Sequence, residues 1–316
     1  MPNTLAHLGI QAITSRTILR HADPRWIFTG CVIPDIPWIL QRLVQTSGFS
    51  IDWYDLRIYA IIQASLFCSL FLCGTLALLS LHPRRVFLIL AGNVVGHLLL
   101  DAMQTKWGNG VHLFAPMSWT LWNAGWFWPE SPVTYLVTIL GLATVAWIAR
   151  KMWRGEIPEP LINPNPTPKY LGAAVICMVG YLLMPFPFMQ GPEAADNHFV
   201  HTLREKDTRT GKPIAFDRVA YRKEESRGTV RTFGKEILYL DSTPLNHSGT
   251  LSLKGRFIDQ NTLHLNEWHE HTPFVRDTAS ILGLGVLAVL WGCSFFRRGE
   301  TSANDRKGFV GRREHH

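Results

Sequence analysis

Five stretches of this chain are apolar over enough residues to cross about 30 Å of hydrocarbon, which takes roughly 20 residues as a helix. They cover residues 59–81, 86–103, 133–148, 170–188 and 279–296. Two weaker stretches precede them: 27–44, interrupted by Pro34, Asp35 and Pro37, and 4–19, which carries His7, Gln11 and Arg16. Polarity is concentrated in residues 190–277 and in the tail after Phe296, so a charged fraction of only 17% coexists with a near-neutral mean hydropathy of +0.06. The pattern predicts an all-α membrane bundle of about seven spans with a small β-rich extracytoplasmic domain inserted before the last span. Its units are a membrane bundle over 1–150, a cytoplasmic linker over 151–169, a span at 170–188, the module at 190–277, a span at 278–296 and a cytoplasmic tail over 297–316.

The formal charge of +7 does not indicate nucleic acid, because the basic residues gather at span ends: Arg84-Arg85, Arg150-Lys151 with Arg154, and Arg297-Arg298. Lys and Arg in short loops favour the cytoplasm. That rule puts the N-terminus, residues 45–57, 104–131 and 190–277 outside and the C-terminus inside, in a bacterial inner membrane. Trp107, Trp119, Trp122, Trp126 and Trp128 then share one outer loop, at the level where indoles prefer the headgroups. The N-terminus shows neither the basic region nor the small-residue cleavage pattern of a signal peptide. All five cysteines lie in apolar stretches, so neither a disulfide framework nor a cysteine metal cluster is indicated.

Within 86–103, Asn93, His97 and Asp101 recur every four residues and line one face of a helix. Ionisable groups at membrane depth are costly and mark functional positions by default. With the predicted orientation, His7 near the outer end of the first span and Asp35 midway along the second lie at compatible depth. His7, Asp35, His97 and Asp101 form a mixed nitrogen and oxygen set suited to zinc, manganese or iron. A metal among them lowers the pKa of bound water and polarises a phosphoryl or carbonyl oxygen. A hydrogen-bonded His97–Asp101 pair with Asp35 capping a helix is the structural alternative.

The segments Leu5-Ala6-His7, Gly30-Cys31-Val32-Ile33-Pro34-Asp35-Ile36-Pro37, Gly96-His97-Leu98-Leu99-Leu100-Asp101, Trp107-Gly108 and Leu113-Phe114-Ala115-Pro116-Met117-Ser118 resemble the YdjM-type family of LexA-linked, inner-membrane metal-dependent hydrolases. The resemblance covers the first half of the chain and implies a metal site of His7, Asp35, His97 and Asp101, with His97 and Asp101 catalytic. Similarity of that family to zinc phospholipase C and P1-type nuclease folds implies phosphoester substrates. The hydrophilic insert is a departure from the short family pattern.

The insert alternates apolar and polar residues over 214–221, 228–240, 250–258 and 261–268, which predicts a small antiparallel sheet or barrel. His264, His269 and His271 are candidate metal ligands, with His269 and His271 on one strand face, or are solvent-exposed or hydrogen-bonded to Glu267 and Glu270. Arg204, Arg209, Arg218, Arg222, Arg227 and Arg231 fit anionic lipid headgroups or a solvated surface. No phosphate loop, nucleophile elbow or HExxH helix is present. The functional expectation is a metal-dependent hydrolase, with zinc or manganese as cofactor, acting on an amphiphilic or lipid phosphoester at the outer face. Its partners would be membrane lipids, that substrate and an envelope protein recruited through 190–277. A non-enzymatic scaffold or a transporter with a polar intramembrane site is the alternative.

Overall fold

The structure is a computed structural model that describes residues 3–157, 162–225 and 227–311. Residues 158–161 of the predicted linker and 312–316 of the predicted tail lie outside the described residues.

Short helices open the chain: α1 (Thr4–Ile18), α2 (Pro24–Val32), α3 (Ile36–Thr46), α4 (Trp53–Gln63) and α5 (Leu66–Leu78). Longer ones follow: α6 (Pro83–Met103), α7 (Pro132–Trp153) and α8 (Pro168–Leu183). Their boundaries are written in local chemistry. Asn3 accepts from Ala6 N–H and Ser131 from Thr134 N–H, while α2, α6, α7 and α8 each begin on a proline whose missing N–H costs nothing there. Between α2 and α3, Pro34 and Pro37 interrupt the backbone ladder and leave a single 3-10 turn, Ile33–Asp35.

Among the described residues, five helical segments are long and apolar enough to cross a membrane: Pro24–Thr46, Pro83–Met103, Pro132–Trp153, Pro168–Ala194 and Phe274–Ser294. The predicted count of seven is therefore too high. The α1 helix has 15 residues, which at 1.5 Å each reach only about 22 Å. The predicted straight span at 59–81 is two helices, α4 and α5, bent by 66°. Ser65 causes the break, since its side chain caps a new helix by accepting from Cys68 N–H; the pair counts as a sixth span only if taken together.

Although short, α1 is wedged into the bundle, with Leu5, Ala6, His7, Leu8, Gly9, Gln11 and Ala12 all buried. It lies backbone to backbone on α7: a Cβ on Gly9 would fall 2.1 Å from Gly141 Cα, and one on Gly141 2.3 Å from Leu5 O. Small residues at such crossings substitute dispersion contact for the hydrophobic drive that lipid cannot supply. The opposite faces of α7 and α8 expose Leu136, Ile139, Leu142, Val175, Ile176 and Leu182, as expected of lipid-facing surfaces.

After α8, the short helices α9 (Gln190–Ala194) and α10 (Val200–Arg204) lead into five strands, and α11 (Pro273–Gly311) returns to the bundle. The strands are β1 (Pro213–Lys223), β2 (Gly228–Arg231), β3 (Ile237–Leu240), β4 (Gly249–Phe257) and β5 (Thr262–His271). They close into a barrel in the order β1-β2-β3-β5-β4, a Greek-key arrangement like that of OB-type barrels. Two predictions change in detail. The 228–240 stretch is a hairpin rather than one strand, because Thr232 and Glu236 close a turn in which Lys235 takes a left-handed φ of 64°. The sheet is also not wholly antiparallel, since β3 and β5 run parallel. Leu238, Leu251, Leu253, Phe257 and Leu263 fill the interior.

The barrel sits on the end of the bundle formed by residues 45–57 and 104–131. Tyr54 Oη donates to Leu203 O at 3.2 Å, Asn109 Nδ2 to Asp217 Oδ2 at 3.1 Å, and Asn197 Nδ2 to Trp119 O at 2.9 Å. The opposite end gathers basic loops, with Arg85 donating to His21 O at 2.8 Å. The Gly9–Gly141 contact sets where His7 lies. Replacing Gly141 by Leu should lower the melting temperature by several degrees and reduce bound metal, whereas Leu at Gly172, where an added Cβ meets nothing, should change neither. A thermal melt with metal analysis measures both; equal behaviour of the two variants would remove α1 packing as the determinant.

Candidate metal centre beneath the barrel

Three of the four sequence-predicted ligands converge. His7 from α1 and His97 and Asp101 from α6 offer ligand atoms within 4.8 Å of one another, and all three residues are buried. His7 Nε2 is 3.3 Å from Asp101 Oδ1, and His97 Nε2 is 3.8 Å from Asp101 Oδ2. The two imidazoles stack, with centroids 4.1 Å apart. Asp35 stands beside this set, its Oδ1 3.5 Å from His97 Nε2. Its side chain makes no capping hydrogen bond to α3, so it does not serve as the helix cap that the sequence allowed.

What the other ring nitrogens do decides the chemistry. His97 Nδ1 is 2.5 Å from Cys31 O, an acceptor only, so Nδ1 carries the ring hydrogen and Nε2 presents its lone pair. The Gln11 amide satisfies its neighbours in one orientation. Its nitrogen then donates to Asn93 O at 2.7 Å and Asn93 Oδ1 at 2.9 Å, and its oxygen accepts from His97 N–H at 3.2 Å. That oxygen occupies the amide position 3.3 Å from His7 Nδ1, which makes Nδ1 the donor and leaves Nε2 free. Backbone carbonyls and amides that hold the outer nitrogen of a ligating histidine are the usual second layer of metal sites.

His7 Nε2 and Asp101 Oδ1 are buried without a hydrogen-bond partner. Two acceptors facing one another at 3.3 Å leave a gap for a cation. Ligands about 2.0–2.1 Å from a tetrahedral zinc stand roughly 3.3–3.4 Å apart, close to the 3.3–3.8 Å separations here. The donors therefore fit a borderline or hard divalent ion, with His7, His97 and Asp101 as the compact set and Asp35 as an adjacent carboxylate.

His97, Asp101 and Asp35 form the floor of a cavity of about 330 Å³ whose roof is the barrel. Its walls carry Arg42, Arg57, Lys106, Arg218, Arg231 and Arg276, an excess of positive charge over Asp35, Asp101 and Asp217. Sequence reasoning did not select Lys106, whose ammonium is 2.9 Å from Asp101 Oδ2 with 4% of its side chain exposed. Lying five residues after Asp101 and beyond the helix end, it has no periodic signature. Asn123 holds its loop, donating to Lys106 O at 2.6 Å and Asn109 O at 3.1 Å.

The six module arginines divide by environment rather than forming one lipid-facing or solvated set. Arg209 is fully buried on Glu236, and Arg204 pairs with Asp55 and Glu193. Arg218 and Arg231 line the cavity. A bulge in β1 between Phe216 and Val219 holds Arg218 at a left-handed φ of 57°, a strained value for a residue with a Cβ. Its Nε and Nη2 are buried without hydrogen-bond partners. His198, which also lines the cavity, likewise takes a left-handed φ, 55°. Backbone strain thus recurs where the walls present cationic and imidazole groups.

His112 and His198, absent from the sequence-derived site, are buried on the cavity wall. Burial pushes the His112 imidazole down to about 4. Burial, then Arg57, His112 and Lys106, hold His198 well below its usual range. Both rings are neutral near pH 7. Arg57 Nη2 donates to His198 Nδ1 at 2.9 Å, so His198 carries its hydrogen on Nε2. Comparison with known proteins returns no matching family model, curated relative or solved structure.

The His112 shift has a sign that can be measured. A depressed histidine binds fewer protons folded than unfolded between pH 6.5 and about 4, so stability falls as pH drops through that window. Its contribution is on the order of 2–3 kcal/mol, and His198 acts in the same direction. His112→Asn should flatten the denaturant midpoint against pH between 6.5 and 4. An unchanged slope would show that His112 is solvated in the native protein.

Proposed function

We propose that this chain is an integral membrane, metal-dependent hydrolase of amphiphilic phosphoesters, the class implied by the resemblance of its first half to the YdjM-type family. One observation carries the reading: the free Nε2 atoms of His7 and His97 meet the Asp101 carboxylate, and His97 and Asp101 line the floor of a cationic cavity. Bound there, a zinc or manganese ion supplies Lewis acidity and a water acidified toward neutrality. The protein's part is to orient and to neutralise. Cys31 O and Gln11 aim the two imidazoles, and Lys106 anchors Asp101. Arg57 and Arg218 offer guanidinium groups to phosphoryl oxygens, which they match in geometry as well as charge. His198, whose hydrogen is on the unpartnered Nε2, is placed to donate a hydrogen bond to a phosphoryl oxygen.

The cavity lies between the barrel and helices α3, α4 and α6 of the bundle, a position open to a lipid's headgroup. Basic residues at the far end of the bundle support an orientation with that end in the cytoplasm of a bacterium and the barrel on the periplasmic side.

Metal analysis of the purified protein tests the reading. Asp101→Asn keeps the shape and removes the charge, and His7→Ala removes a ligand distant in sequence. Both should lower affinity for the floor-site metal by more than tenfold and abolish hydrolysis of a lipid phosphoester in mixed micelles, with the melt still cooperative. Wild-type protein that takes up neither zinc nor manganese would overturn it. Arg218→Ala should leave metal content intact and weaken inhibition by inorganic phosphate by about 10- to 100-fold, the worth of a charge-assisted hydrogen bond. Unchanged phosphate inhibition would remove Arg218 from substrate recognition.

A further inference from the structure

We propose that Glu130, His269 and His271 form a second divalent-cation site, of the zinc class, that ties the barrel to the bundle. Glu130 ends the tryptophan-rich loop just before α7, and the two histidines end β5 just before α11. Alternation along β5 puts both imidazoles on one face. Their ligand atoms and that of Glu130 lie within 4.8 Å of one another. The residues thus come from a loop of the bundle and from the junction where the barrel returns to it.

Each ring is held in place by something other than its would-be partner. His269 is stacked on Trp128 with centroids 3.8 Å apart and planes 8° from parallel. His271 is fully buried, and its Nε2 is 2.8 Å from Ser252 Oγ. Ser252 Oγ donates in turn to Asp217 Oδ1 at 3.3 Å, so it accepts from His271 Nε2. A carboxylate–hydroxyl chain behind the outer nitrogen is the support a ligating histidine uses. His271 Nδ1 then faces Glu130 Oε1 at 2.9 Å, and His269 Nε2 faces Glu130 Oε2 at 3.7 Å.

A charged His271 in a plain ion pair with Glu130 would account for the shorter contact. It would leave Glu130 Oε2 and His269 Nε2 as they stand, both buried without a hydrogen-bond partner. A cation among the three engages all of these atoms at once. Two imidazoles and one carboxylate are a familiar zinc donor set, which leaves one position for water. The expected pairing of these histidines with Glu267 and Glu270 does not occur: Glu267 takes Lys254 and Glu270 takes His247.

Zinc stoichiometry of the purified full-length protein tests the proposal, read on wild type, His7→Ala, His269→Ala, Glu130→Gln and the double variant His7→Ala/His269→Ala. Glu130→Gln preserves shape where His269→Ala could disturb packing. Two equivalents in wild type, one in each single variant and none in the double variant are expected. One equivalent retained by His7→Ala and lost in the double variant establishes this site whatever the floor cluster does. Equal zinc content in wild type, His269→Ala and Glu130→Gln overturns it while leaving the floor site standing.

Discussion

The architecture turns on the face-to-face approach of His7 Nε2 and Asp101 Oδ1, two buried acceptors 3.3 Å apart with their other atoms already committed. Burying such a pair without a compensating positive charge costs several kcal/mol, so the surrounding structure must supply one. Lys106 supplies part of it on Asp101 Oδ2, and the gap between His7 and Asp101 fits a divalent ion that would supply the rest. Much of the bundle can be understood as support for that contact. The glycine crossing of α1 on α7 sets the depth of His7, and Gly30, whose Cβ would lie 2.8 Å from Leu90 O, lets α2 press against α6 and bring Cys31 O to His97.

The barrel completes the site rather than decorating it. Without β1 and the β2–β3 turn, the floor cluster would open to solvent, and the arginines on the roof would be absent. Backbone strain falls on the cavity lining at Arg218 in β1 and at His198 before α10, where two otherwise disfavoured conformations present a cation and an imidazole.

Much of this was legible in the residues. Periodicity alone put Asn93, His97 and Asp101 on one face, and prolines around Asp35 announced a broken helix. Alternation marked the strands of the module. The errors share a cause. The α1 helix has the composition of a span but lacks its length, and the 59–81 run has the length but hides a Ser65 cap, because apolar composition does not report where a helix bends. The module arginines resemble one another in sequence, yet Arg209 is a buried counter-ion, Arg204 an ion-pair hub and Arg218 a cavity wall residue.

The sequence by itself determined the classes of element, the polar stripe on α6 and the identity of the first four candidate ligands, since these depend on local spacing and on the cost of burying charge. Only the tertiary structure decided that His7 reaches Asp101 while Asp35 stands against His97, that Lys106 pairs with Asp101, that His112 and His198 are neutral, and that Glu130 meets His269 and His271. These facts arise from groups up to 141 residues apart in sequence. Their proximity follows from helix crossings and barrel closure, in which contacts between distant segments set each distance and no local pattern records it.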